Sequence, residues 1–147
     1  MQTIFGEITL QDMRASPKIT EMVMPMVGRA CQFAGGRWTP EDVADGLIDG
    51  RFRLWGAMRP PADLQAVAVT FLEPEGKPKR AMELLLLGGP DMRAMFRFLP
   101  ALQKVARQQG ADVMRVHGKR SWQDHIGDDW KPVVTIYEQA LGEARQD

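Results

Sequence analysis

The sequence contains one cysteine, one tyrosine and no excess of either charge. The single Cys31 excludes an internal disulfide, so we expect a reducing compartment. Because the 19 basic and 19 acidic residues balance, we do not expect a general nucleic-acid binder. No apolar run reaches the roughly 18 residues of a membrane span, and the start of the chain lacks the pattern of a signal peptide. We therefore expect a cytoplasmic or particle-associated protein with no membrane partner.

The 147 residues predict one domain over 1–147, with a polar tail from 140 onward. Hydropathy periodicity predicts the element order β, α, α, β, β, β, α, β, α, β. The predicted strands span 3–10, 52–58, 64–72, 80–87, 111–117 and 132–137. The predicted helices begin at Pro17, at Pro40, after Asp91 and after Ser121, which can cap a short helix through about Ile126. Short connections make the middle three strands an antiparallel meander, so we predict an α/β (α+β) fold with a mixed sheet of about six strands.

The stretch from Arg80 to His117 organises this fold. It contains an apolar strand, the turn Gly88–Asp91, a long amphipathic helix that Pro100 should kink or split, and a second strand. A helix between two parallel strands forms a right-handed crossover. Its N-terminus then lies at the carboxyl edge of the sheet, where anionic ligands often bind.

Five segments in this order resemble the GCN5-related N-acetyltransferase (GNAT) fold. They are Thr39–Val43, Gly50–Trp55, Leu87–Gly89, Ala106–Ala111 and Gly118–Trp122. The resemblance is closest to small GNAT-like proteins of tailed phages and prophages, including internal virion proteins. It implies phage particle or assembly components as protein partners, and acetyl-CoA as the cofactor of any enzymatic activity.

Active GNAT enzymes carry an Arg/Gln-x-x-Gly-x-Gly/Ala pattern in the turn after the fourth strand, and its backbone N–H groups bind the acetyl-CoA pyrophosphate. Here that turn is Gly88-Gly89-Pro90-Asp91-Met92-Arg93. Pro90 removes a donor, and Asp91 places a carboxylate near the phosphates and can itself cap the helix. The resemblance implies that any cofactor contacts would come from Leu87, Gly88, Gly89, Met92 and Arg93. A self-capped turn and a phosphate site both remain open.

The resemblance also implies a tyrosine proton donor on the helix after the fifth strand. The only tyrosine is Tyr137, on the predicted last strand. Glu83 is a candidate base on the fourth strand, and His117 is the best-placed titratable group at the carboxyl edge. Each also fits a structural or solvated role. Neither His117 nor His125 has the spacing to other ligands that a metal site requires.

Three hypotheses follow from the sequence. The first is a non-catalytic GNAT-fold protein of a phage or phage-derived element that acts through protein contacts in virion structure or assembly. The second is an acetyl-CoA-dependent N-acetyltransferase with an altered pyrophosphate loop. The third is a binding module for another small ligand, with a pocket lined by Leu86, Met114 and Val116.

Each of three further features of the sequence has two possible interpretations. The basic residues of the long helix form a solvated face or a partner-binding surface; they are Arg93, Arg97, Lys104 and Arg107. Trp38 is an exposed contact residue or a local hydrophobic staple. Cys31 lies on the apolar face of its predicted helix, which favours a buried thiol over a nucleophile.

Overall fold

Five strands form one mixed sheet with the order β1-β2-β3-β4-β5. This computed structural model describes residues 2–118, 126–127, 129–133 and 137–142. The strands are β1 Ile4–Ile8, β2 Phe52–Arg59, β3 Asp63–Leu72, β4 Ala81–Gly88 and β5 Val113–Val116. Strands β1 to β4 pair antiparallel, whereas β4 and β5 pair parallel. The predicted meander and the crossover after it are confirmed.

The predicted count of about six strands differs slightly from the five in the described residues. Of the predicted last strand, Pro132, Val133 and Tyr137 lie outside any strand, and 134–136 lie outside the described residues. Of the predicted helix from Ser121, only Ile126 is described, and it is helical. The end of the predicted tail, 143–147, is likewise outside the described residues.

Five helices in the described part of the chain flank the sheet. They are α1 Leu10–Ala15, α2 Pro17–Phe33, α3 Pro40–Asp49, α4 Met92–Phe96 and α5 Leu99–Gln108. Helix α1 was not predicted, and the predicted first strand is too long at its end. Thr9 and Asp12 form a capping box that ends the strand region and begins a helix.

The two prolines inside the long helical runs have different effects. Pro25 lies inside α2, which begins at Pro17 and continues without a break to Phe33. Pro100 lies in the first turn of α5, where a missing N–H costs least. The predicted split of the long helix is confirmed, since α4 and α5 are separate.

The sheet is buried on both faces, which makes a three-layer α/β/α arrangement. Residues of α2 and α3 pack on one face with Leu54, Val67 and Val69. Residues of α4 and α5 pack on the other face with Trp55, Ala68 and Leu84. Trp38 packs edge-on against Phe52, with ring centroids 5.6 Å apart, and is half-buried. This contact favours the packing role for Trp38.

Cys31 is buried in the α2 face of the core, as predicted. Burial raises the pKa of its thiol, and the carboxylates of Asp42 and Glu41 raise it further. A thiol with a raised pKa is a poor nucleophile at neutral pH, so Cys31 is a packing residue.

Gly88 allows α2 to approach the end of β4 closely. A Cβ atom there would lie 2.7 Å from the carbonyl oxygen of Met26 and 2.9 Å from the Cβ of Ala30. Both neighbours belong to α2, so neither can move without moving the helix. The glycine is therefore required by packing between the helix and the strand.

We predict that Gly88→Ala destabilises the fold by about 1–3 kcal/mol, because the new methyl group overpacks this contact. Urea denaturation with linear extrapolation measures the change. Gly28→Ala is the matched control, since a Cβ at Gly28 meets nothing within 4 Å and alanine favours a helix interior by about 1 kcal/mol. Equal stabilities of the two variants would contradict the packing role of Gly88.

The Glu73 carboxylate joins three segments at the start of β4. The Ala81 N–H donates to its Oε1 at 2.8 Å, and the Lys77 ammonium donates to its Oε2 at 2.9 Å. The Arg115 guanidinium of β5 lies 3.5 Å from Oε1. The hydrogen bond from Lys77 contributes most to lowering the pKa of Glu73, and the bond from Ala81 lowers it further.

A lowered pKa in the folded state predicts that stability is lost at acid pH. The Glu73 contribution is complete above the ordinary glutamate pKa of 4.5 and is lost as pH falls through the lower folded-state pKa. We expect Glu73→Gln to lower Tm by several degrees at pH 7, and the difference from the unmodified chain to shrink below pH 4.5.

Calorimetry between pH 3 and pH 7 checks this result, and Glu75→Gln is the control because the Glu75 side chain is 90% exposed. A Tm difference for Glu73→Gln that is constant over this pH range would contradict the prediction.

Candidate active site

Strands β4 and β5 separate halfway along β4. Their parallel register runs from Ala81–Val113 to Leu84–Val116. The last backbone contact is the hydrogen bond from His117 N–H to the carbonyl of Leu84, at 2.9 Å. Strand β4 continues for four more residues, about 13 Å of extended chain. Leu86–Gly88 pair with β3, and none of the four pairs with a described residue on the β5 side. Among the described residues there is therefore an opening between the two strands, bordered by an unpaired strand edge.

A β-bulge marks the same level of β4. Val69 pairs with Leu86 and Thr70 pairs with Leu84, so Leu85 has no partner on β3. Both Leu85 and Leu86 consequently pack on the α2 face of the core. Bulges are common next to active sites, where they redirect side chains or end pairing.

Glu83 and His117 meet where the strands separate. His117 Nε2 lies 3.3 Å from Glu83 Oε1, and the two side chains are 27% and 19% exposed. Glu83 pairs with Phe71 in the register of β3 and β4, and Phe71 packs on the α2 face. The carboxylate and imidazole therefore lie on the α2 side of the sheet, shielded from bulk water but not sealed off.

This pair can hold and move a proton. When His117 Nε2–H donates to the Glu83 carboxylate, Nδ1 carries the lone pair and is free to accept a proton. The carboxylate fixes the ring orientation and stabilises the imidazolium once it forms. Arg115, the register partner of Glu83, is drawn toward Glu73 instead, at 3.5 Å.

The loop after β4 offers few donors to a phosphate. Pro90 has no N–H, the Asp91 N–H donates to the carbonyl of Gln65 at 3.0 Å, and the Ala94 N–H donates to the carbonyl of Asp91. Within the described part of the chain, the N–H groups of Gly89, Met92 and Arg93 have no acceptor. These three amides and the exposed guanidinium of Arg93 remain for an anion.

The prediction that Asp91 caps its own helix is wrong. Asp91 occupies the N-cap position of α4, but its side chain makes no capping hydrogen bond. The N–H of Asp91 is anchored to β3, at Gln65, the unpaired residue of a second bulge in β3. The Asp91 carboxylate is half-buried at the mouth of the loop, with no hydrogen-bond donor among the described residues.

The other predicted site residues lie in different parts of the structure. Leu87 and Met92 pack into the α5 face of the core, so they offer a ligand only backbone groups. Gly89 has φ +133°, and a Cβ there would lie 2.5 Å from the Gln65 carbonyl oxygen. Tyr137 is 90% exposed and lies outside any strand, which does not suit an enclosed proton donor.

The pocket predicted between Leu86, Met114 and Val116 does not form. Leu86 packs on the α2 face of the sheet, whereas Met114 and Val116 pack on the α5 face. The bulge at Leu85 causes this difference, because it moves Leu86 to the face opposite the one that simple alternation predicts.

A cavity of about 470 Å³ lies at the opposite end of the sheet. It is lined by residues that include Arg51, Arg53, Phe71, Met82 and Gln109. Arg51 is bound by Asp49 at 2.7 Å, and Arg53 lies 4.0 Å from Glu7. Neither Glu83 nor His117 lines this cavity, although its lining residue Phe71 is the register partner of Glu83.

Two other kinds of site are absent from the described residues. They contain no group of three His, Cys, Asp or Glu side chains able to hold a metal ion. In the same ranges, no helix has the length and apolar composition of a membrane-spanning segment.

The architecture is that of the GNAT fold. A probable acetyltransferase superposes with a TM-score of 0.63 at 16% identity, over 98% of this chain and 100% of its own. A GNAT family acetyltransferase from Staphylococcus aureus gives 0.63 at 9% identity, over 96% and 100%. An aminoglycoside acetyltransferase from an uncultured soil metagenomic sample, in complex with sisomicin, gives 0.64 at 10% identity, over 95% and 96%.

These identities show the fold and not the activity. The sequence matches no protein-family model, and no curated protein matches it. The three structures named above are described as acetyltransferases, and none of the comparisons links the chain to phages or virions.

Proposed function

We propose that this GNAT-fold chain is an acetyl-CoA-dependent N-acetyltransferase in which His117 is the general base and Glu83 positions it. The observation that carries the proposal is the 3.3 Å contact between these side chains at the level where β4 and β5 separate. A proton-accepting group at the opening of a GNAT sheet is what amine acetylation requires, because only a neutral amine nitrogen attacks an acyl carbon.

The unpaired edge of β4 fits the pantetheine arm of acetyl-CoA. The arm is an extended chain with two amide groups, and an open strand edge binds such a chain through main-chain hydrogen bonds. Residues Leu85–Gly88 supply this edge. The amides of Gly89, Met92 and Arg93, with the Arg93 guanidinium, would hold phosphate.

The chain's own residues perform the proton transfer. Acetyl-CoA, when bound, supplies the acetyl group as a thioester, whose C–S bond is exchanged for the C–N bond of the amide. Nδ1 of His117 takes the proton that the amine nitrogen loses, and passes it to water. Glu83 keeps the imidazole oriented throughout. The released thiolate takes up one proton from solvent, so the proton count balances.

A non-catalytic role remains the second candidate, and one observation favours it. The Asp91 carboxylate and the missing Pro90 donor weaken the loop as a phosphate site. A scaffold that acts through protein contacts, in a phage-derived particle or elsewhere, has no need of that loop. This candidate predicts that acetyl-CoA neither binds nor stabilises the fold.

Isothermal titration with acetyl-CoA, followed by an acetylation assay, separates the two candidates. The acceptor panel contains a polyamine, an aminoglycoside such as sisomicin and a peptide with a free α-amine. We expect micromolar binding and amide formation with at least one class of amine. The absence of heat at millimolar acetyl-CoA, together with no product, would overturn the enzyme proposal and favour the scaffold.

A further inference from the structure

The charges of this neutral chain are segregated. Residues 92–111 contain four of its 19 basic residues and none of its 19 acidic residues. We define the cationic surface as Arg93, Arg97, Lys104 and Arg107, all of which are exposed. None of the four forms an ion pair with a described residue. The next acid along the chain, Asp112, accepts a hydrogen bond from the Arg80 N–H.

The cationic surface begins at the candidate active site and extends away from it. Arg93 lies in the first turn of α4, directly after the loop at the opening. Helix α5 adds about 15 Å of length, and on it Lys104 and Arg107 lie on the side opposite the buried Leu102 and Ala106. The four positive charges thus extend over a longer distance than a single phosphate group can contact.

The loop itself is poorly suited to a diphosphate. Three N–H groups remain free among the described residues, and the unpaired Asp91 carboxylate repels each additional phosphate charge. Coenzyme A carries a diphosphate and a further 3′-phosphate. A phosphopantetheine arm attached to a protein serine carries one phosphodiester, and the strand edge can bind the rest of the arm.

We infer that the preferred acyl donor is an acidic carrier protein, which inserts its acylated phosphopantetheine arm along Leu85–Gly88 and docks on the cationic surface. This inference rests on the proposed acetyl transfer and names its donor. The chemistry is unchanged, since the carrier's thioester C–S bond breaks as the amide forms. Positive charge beside a narrow opening complements an acidic protein and speeds its association.

A carrier protein fits these features better than a nucleic acid does. Nonspecific single-strand binding combines a positive groove with aromatic side chains on which bases stack. The aromatic residues of this segment, Phe96 and Phe98, pack against the core. The surface therefore provides charge without stacking platforms.

The test compares two donors and two charge-reversal variants. The probe is a fatty-acid acyl carrier protein in its holo and acetylated forms, and the other donor is acetyl-CoA. The test variant is Lys104→Glu/Arg107→Glu, whose changes lie away from the opening. The control is Arg14→Glu/Lys18→Glu, at exposed cations of α1 and α2. Binding of the holo carrier is measured by titration, and KM is measured for each acetylated donor.

We expect a KM for the acetylated carrier at least tenfold below that for acetyl-CoA. The Lys104→Glu/Arg107→Glu variant should weaken carrier binding by about tenfold and leave the KM for acetyl-CoA unchanged, while the control changes neither. Absent carrier binding, equal carrier binding by the two variants, or preferential binding of single-stranded DNA would overturn the inference. Transfer from acetyl-CoA alone overturns only the donor inference, whereas carrier binding without transfer from either donor overturns the proposed function.

Discussion

Replacing His117 with alanine lowers kcat/KM for acetyl transfer by about 10²- to 10⁴-fold at neutral pH, the range that a general base contributes. The reason is that, among the described residues, His117 is the titratable side chain that is hydrogen-bonded to Glu83. Stopped assays with saturating donor and varied amine measure the change. Because an amine that is already neutral still needs a proton acceptor as the bond forms, the loss should persist as pH rises to 9.

The Glu83→Gln variant tests whether Glu83 positions His117 for proton transfer or only stabilises the sheet. The amide keeps the shape of the side chain but no longer stabilises an imidazolium. We expect kcat to fall by up to about 10²-fold, the cost of a misoriented catalytic group, with KM for the amine little changed. A variant with the same kcat as the unmodified chain would show that the pair only stabilises the sheet.

Asp91→Asn tightens acetyl-CoA binding by about tenfold, which corresponds to about 1.4 kcal/mol. The substitution removes a carboxylate that repels phosphate and keeps the loop conformation, since Asp91 is held through its backbone N–H and not through its side chain. Isothermal titration at low ionic strength measures the change, because salt screens such repulsion.

Two further variants serve as comparisons for the affinity of Asp91→Asn. Asp45→Asn removes an exposed carboxylate on α3 and should leave affinity unchanged. Arg93→Ala removes a guanidinium beside the loop and should weaken binding. An unchanged affinity in both Asp91→Asn and Arg93→Ala would place the phosphates elsewhere and contradict the assignment of this loop.

Much of the fold was predictable from the sequence because local signals agreed. Alternating hydrophobicity and short polar turns predicted the meander, and the apolar run at Leu84–Leu87 predicted a central strand. Thr39 as N-cap, with Pro40 and acidic residues after it, predicted the start of α3, and the structure shows that Thr39 and Asp42 form a capping box there. A matching signal at Thr9 and Asp12 preceded α1, but its six residues are too few to show helical periodicity.

The candidate site was predictable only as separate residues. Glu83 and His117 were each singled out, yet 34 positions separate them in sequence, and their contact depends on the parallel register of β4 and β5. No local signal fixes that register. The failed cap at Asp91 has a similar cause, because a tertiary hydrogen bond to Gln65 sets the backbone there and overrides the side chain's intrinsic preference.

The unpaired Leu85 reverses the alternation of side-chain direction along β4. Odd-numbered positions before it face α2, as Glu83 does, and even-numbered positions after it do so, as Leu86 does. One inserted residue thus lets the same strand place the Glu83 carboxylate and both Leu85 and Leu86 on the α2 side of the sheet. If Leu85 instead paired regularly with Val69, every later side chain would shift to the other layer, and Gly88 would turn away from the helix that requires it. The bulge, more than the identity of any leucine in the run, determines how the strand fits between its two helical layers.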